Sequence, residues 1–109
     1  MTNATIHGVC LSFYCHARAK HHGKLVCEWL LDQAKDMKLG GGSVFRAISG
    51  FGKSGVTHEE QFFDLTDDLP VKIEFLLERG QADALVERAR SAGVDAIFAF
   101  APVEFASLK

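Results

Sequence analysis

From His7 to Cys15 (HGVCLSFYC), Val9, Leu11, Phe13 and Cys15 occupy alternate positions, with Cys10, Ser12 and Tyr14 between them. A period of two with aromatic content predicts a strand with one well-buried face. The polar, basic stretch that follows, HARAKHHGK, reads as a loop. From Leu25 to Met37 the period lengthens. Val26, Leu30, Gln33 or Ala34, and Met37 share one face, opposite Glu28, Asp32 and Lys35, which predicts a helix. Leu39 and Gly40-Gly41-Gly42 end it, because glycine readily takes the left-handed conformation that closes helices.

Ser43 to Ser49 is a second strand, with Val44, Arg46 and Ile48 on one face and Phe45 and Ala47 on the other. It runs into a glycine-punctuated loop, Gly50 to Gly55. Phe62 to Leu65 reads as a short strand or hairpin arm, and Asp67-Asp68-Leu69-Pro70 as a turn. Val71, Ile73, Phe75 and Leu77 then alternate with Lys72, Glu74, Leu76 and Glu78, the cleanest amphipathic strand in the chain. Ala82, Leu85, Val86 and Ala89 give a second helix, closed by Gly93. Ala96 to Phe105 is the last strand, and Pro102, which lacks an N–H, puts it at a sheet edge. The order β-α-β-β-α-β predicts an α+β fold, a ferredoxin-like split βαβ sandwich with two helices on one face of an antiparallel sheet.

Such a sheet leaves one face without helices. Here it would carry Cys10, Ser12 and Tyr14 on one central strand and Lys72, Glu74 and Leu76 on the other. That face is either solvated or, with Tyr14 and Leu76 and with Phe98 and Phe100 if they point the same way, an oligomer contact. Period alone does not fix the side taken by Phe98 and Phe100.

A length of 109 residues fits one domain covering 1–109. With 48% apolar and 24% charged residues, the chain has the composition of a folded protein rather than a disordered one. Fourteen acidic against twelve basic side chains leave a net charge of −2, so net charge supplies no nucleic-acid surface. No apolar run reaches the ~20 residues of a membrane span, and Met1 to Ile6 lack the features of a signal peptide. Three cysteines form no disulfide framework, and the expected location is cytoplasmic.

Two phosphate-binding patterns are met in letters only. Gly50, Gly52 and Gly55 satisfy G-x-G-x-x-G, but the residues after them (VTHEEQFF) carry no helical stripe to aim at a pyrophosphate. Gly52-Lys53-Ser54 resembles the end of a P-loop, yet the position of its first glycine is Ala47, inside a strand. What survives is a glycine-rich loop whose backbone N–H groups, with Lys53, Ser54 and Arg46, suit an anion. Cys15, His16, His21 and His22 lie close in sequence without a standard zinc spacing. No nucleophile–base–orienter set is evident, so the expectation is not an enzyme.

The string SVFRAISGFGKSGVTHEE followed by FFDLTDDLPVKIEFL resembles the DUF190 (UPF0166) family, small proteins similar to the PII signal-transduction proteins. The features that carry the resemblance are Val44 to Gly52, His58, the Asp68-Leu69-Pro70 turn, the VKIEF strand, and His22-Gly23-Lys24 ahead of Glu28-Trp29-Leu30. It covers about Phe13 to Glu78. The resemblance implies a ferredoxin-like homotrimer with its helix-free faces turned to the axis. It also implies an adenine nucleotide or other small anion as effector in the cleft between subunits, rather than a cofactor. Arg46, Gly50, Phe51, Gly52, Lys53, Ser54 and His58 would be the ligand-binding residues, and the Gly50–His58 loop would act on a transporter or enzyme. The alternatives are a trimeric interaction module that takes no ligand, and a metal-binding stress protein using His16, His21 or His22 with Cys15. The chain departs from the family pattern at Ala17, where an acidic residue is usual, and at Leu25-Val26-Cys27, where Pro-Leu-Tyr is usual. The lysine-containing glycine loop of PII proteins has no counterpart near Ser91 to Ala96.

Overall fold

The computed structural model describes residues 4–51 and 69–109. The sequence elements expected at Phe62–Leu65 and at Asp67-Asp68, and most of the glycine loop, lie outside them. In chain order the elements are β1 (Ile6–His16), β2 (Lys20–His21), β3 (Lys24–Leu25), α1 (Val26–Asp36), β4 (Ser43–Arg46), β5 (Pro70–Leu77), α2 (Arg79–Ala92) and β6 (Ile97–Phe105). The main sheet runs β4-β5-β1-β6 with every neighbouring pair antiparallel. This is the expected ferredoxin-like arrangement, and β6, the strand holding Pro102, lies at an edge.

Strand parity builds the core. Val9, Leu11 and Phe13 of β1 lie beside Leu77, Phe75 and Ile73 of β5, and all six are buried on one face. Val26, Leu30 and Ala34 of α1 and Ala82, Leu85, Val86 and Ala89 of α2 close over that face. Phe13 meets Phe75 edge to face, with ring centroids 6.3 Å apart. Arg88 of α2 ties the two helices at the surface by donating to Gln33 at 2.9 Å and Asp36 at 2.8 Å.

Four details depart from the sequence reading. The stretch read as a loop contains the hairpin β2–β3, turned by His22 (φ 53°) and Gly23 (φ 83°), and Leu25 belongs to β3 rather than to the helix. Two positive φ angles in succession give a two-residue turn whose twist suits antiparallel strands. Helix α1 stops before the glycine run. Lys38 takes the left-handed conformation (φ 61°) and donates to the Lys35 carbonyl, while Leu39 donates to that of Ala34. Helix α2 ends in the same way on Gly93 (φ 79°), as expected, and begins with a reciprocal cap between Glu78 and Gln81. Strand β4 ends at Arg46 rather than Ser49, and the Ala47 N–H just beyond it still donates to the Pro70 carbonyl.

The helix side also claims Phe98 and Phe100. They sit opposite Phe13 and Leu11 in the register, and Arg90 and Arg79 lie over their rings at 5.9 and 4.3 Å. Neither belongs to the helix-free face, so the possibility that they join an oligomer contact there is corrected.

Candidate ligand site at the loop base and the helix-free face

The glycine-rich segment follows β4 in the chain and precedes β5, so the placement of its described ends depends on how these strands meet. Arg46, the last residue of β4, lies exposed opposite Val71. Beyond it, the Ala47 N–H donates to the Pro70 carbonyl at 2.9 Å. At Gly50 a Cβ would lie 3.2 Å from Cγ of Pro70, so the chain passes close against the proline ring. Phe51 follows with 80% of its surface exposed. On the returning side Leu69 is buried, and its carbonyl accepts from the Ala17 N–H at 2.8 Å, which ties the start of β5 to the end of β1. Arg46, Gly50 and Phe51 are therefore placed on one side of the loop base. Gly52, Lys53, Ser54 and His58 lie outside the described residues.

The helix-free face carries the residues expected of it. Cys10, Ser12 and Tyr14 stand opposite Leu76, Glu74 and Lys72. Register adds Phe45 from β4 and Ile97, Ala99, Ala101, Val103 and Phe105 from β6. The exposed large apolar groups are Tyr14 (42%), Phe45 (49%), Leu76 (50%) and Ile97 (53%). Lys72 and Glu74 pair at 3.2 Å in their midst, and the Lys72 ammonium lies 5.0 Å from the centre of the Phe45 ring. Burial pushes the Cys10 thiol above its ordinary value. The Ser12 hydroxyl opposes that rise, and Glu74 adds to it.

The histidine-rich segment is ordered by aromatic contact. The His21 ring lies tilted against His22, with centroids 4.3 Å apart, and meets Trp29 of α1 edge-on at 5.4 Å. Lys24 reaches across from the hairpin to Asp32 of α1, and the pair raises the lysine and lowers the aspartate relative to their ordinary values. Among the described residues no group of three or more His, Cys, Asp or Glu is arranged to hold a metal ion. No described helix is long and apolar enough to cross a membrane.

A family model described as DUF190, Uncharacterized ACR, matches residues 8–105. The chain belongs to the DUF190 family. Beside it stands a UPF0166 protein of Aquifex aeolicus (strain VF5), 35% identical over 68 residues, which are 62% of this chain. The match spans 65% of the length of that relative. Two solved structures share the fold of this DUF190 protein. One, from Thermus thermophilus, is described as PII-like and signaling; it matches with a TM-score of 0.62 at 12% identity over 93% of this chain and 90% of that one. The other is CPII of Thiomonas intermedia K12, a nitrogen regulatory PII-like protein bound to ADP, AMP and bicarbonate, with a TM-score of 0.62 at 11% identity over 94% and 96% of the two chains. At these identities the likeness establishes the fold alone.

Proposed function

We propose that this DUF190 protein is a cytoplasmic PII-like regulator rather than an enzyme, one domain that assembles as a homotrimer through its helix-free sheet faces. A small anion, an adenine nucleotide, binds in the cleft between subunits at the base of the Gly50–His58 loop. Arg46, Gly50, Phe51, Gly52, Lys53, Ser54 and His58 are the ligand-binding residues. Binding changes the contact of the Gly50–His58 segment with a regulated transporter or enzyme.

The observation that carries this reading is the union of a PII-like fold with an apolar helix-free face. Contiguous exposed apolar area on a small domain finds a partner, and a second copy offers the same surface by symmetry. ADP and AMP in the related CPII fold support the choice of ligand.

Thermal unfolding in the presence of ATP, ADP or AMP tests it. A ligand held only by the folded state stabilises it by about 2.7 kcal/mol at 100 times its dissociation constant. A shift with one adenine nucleotide, weakened in Arg46→Ala and Lys53→Ala, is the expected result. No shift with any of them leaves the trimeric interaction module, for which the same apolar face is the supporting feature.

A further inference from the structure

Register lays the helix-free face out in rows. Phe45, Lys72, Tyr14 and Ile97 stand side by side across β4, β5, β1 and β6, and Ser43, Glu74, Ser12 and Ala99 form the next row. Leu76, Cys10 and Ala101 form the one after that. A polar row therefore crosses the face between two rows that carry its exposed apolar groups, Tyr14, Phe45 and Ile97 on one side and Leu76 on the other.

Lys72 and Glu74 sit on a central strand of that face and pair at 3.2 Å. Among the described strand positions on this face they are the only lysine, arginine, aspartate or glutamate. Their side chains are already 37% and 29% exposed in the single chain, sheltered by their neighbours. The Lys72 ammonium lies 5.0 Å from the centre of the Phe45 ring. A second copy laid on the face removes the remaining water from both charges. Attraction offsets that loss only where each charge keeps a counter-charge, its own or the copy's. Apolar rows accept many sliding arrangements, whereas a charge pair accepts few, so a polar group inside an apolar contact selects register and number of copies. A second copy is the occupant that matches this face, because it brings the same one cation and one carboxylate.

We propose that the Lys72–Glu74 pair determines the specificity of self-association, fixing how many copies meet and in what register. Tyr14, Phe45, Leu76 and Ile97 supply the affinity. The inference rests on the assembly through helix-free faces proposed above, and names the residues that restrict it to one arrangement.

Native mass spectrometry and sedimentation over a concentration series test it in the parent, Lys72→Met, Glu74→Leu, Lys72→Met/Glu74→Leu and Ser43→Val. Circular dichroism checks the fold of each, and Lys72→Gln/Glu74→Gln takes the place of the apolar double variant if that one does not fold. A three-chain species is expected for the parent and for Ser43→Val, which adds apolar area to the same row and keeps the pair. Each single change at the pair leaves one charge without its counter-charge and should weaken assembly about 10-fold or more. The double change should assemble more tightly than either single variant, with its mass spread over more than one number of chains. A double variant that forms three-chain species alone would overturn the role in specificity, as would single variants that assemble as tightly as the parent. A spread of sizes in Ser43→Val would assign the effect to added apolar area and also overturn it. A monomeric parent would instead overturn the assembly through helix-free faces itself.

Discussion

The three adjacent glycines before β4 should answer differently to the same substitution. An ideal Cβ at Gly42 would meet the Phe75 ring, with Cδ1 at 2.7 Å, and Cδ2 of Leu31 at 3.0 Å. Phe75 is 1% exposed and held edge-on by Phe13, so the ring cannot swing aside. Overpacking a filled core costs about 1–3 kcal/mol. For a chain of this length that lowers Tm by about 4 °C per kcal/mol, or about 4–12 °C for Gly42→Ala. Gly40 and Gly41 have nothing within 4 Å of a built Cβ, and neither has a positive φ. Alanine there should stabilise by about 0.4–1 kcal/mol, by restricting the unfolded chain. Thermal unfolding of the three single variants, together with Phe75→Leu and Gly42→Ala/Phe75→Leu, completes a double-mutant cycle. Its expected coupling is about 1 kcal/mol or more, with the smaller side chain relieving the clash. If Gly42→Ala were as stable as Gly41→Ala, the close approach of β4 to the core, and with it the placement of the loop base, would be wrong.

Other substitutions probe separate parts of the structure. Lys38→Gly should raise stability by about 1 kcal/mol in denaturant titration, because Lys38 closes α1 from a left-handed conformation that costs side-chain-bearing residues about that much. Leu76→Glu should leave the circular dichroism of the fold intact, since the side chain is half exposed in the single chain, yet reduce the proposed trimer to monomers in sedimentation. The depressed Asp32 carboxyl contributes stability above its ordinary value of 3.8, and that contribution is lost as pH falls through the lower folded value. The Tm gap between the parent and Asp32→Asn should therefore narrow between pH 6 and pH 3; a gap constant across that range would remove the Lys24–Asp32 pair from the account.

The fold was legible where a single period ran unbroken. In β5, four buried positions alternate strictly with Lys72, Glu74 and Leu76, and the same parity correctly placed Cys10, Ser12 and Tyr14 on the helix-free face. It failed in β6, where IFAFAPVEF is apolar at both parities, so only pairing with β1 assigns Phe98 and Phe100 to the helix side. The β2–β3 hairpin was hidden because His22, not a usual turn residue, takes the first positive φ. A lysine closing α1 was hidden for the same reason: conformation there is set by the hydrogen bonds around it, and the nearby glycines are a decoy. Within the candidate site, Arg46 could be read from its neighbourhood to the glycine loop. The tie between the start of β5 and the end of β1 could not, because the Ala17–Leu69 hydrogen bond comes from the order of strands, with β5 pairing on both sides, and no local pattern encodes it.

Native mass spectrometry of the protein with ATP tests the central claim most directly, since it reads assembly and ligand together. The account predicts a three-chain species that carries up to one nucleotide per chain, with nucleotide occupancy lost in Arg46→Ala while the three-chain mass is kept. A monomer, or a three-chain species that takes up no adenine nucleotide at any concentration, would contradict it.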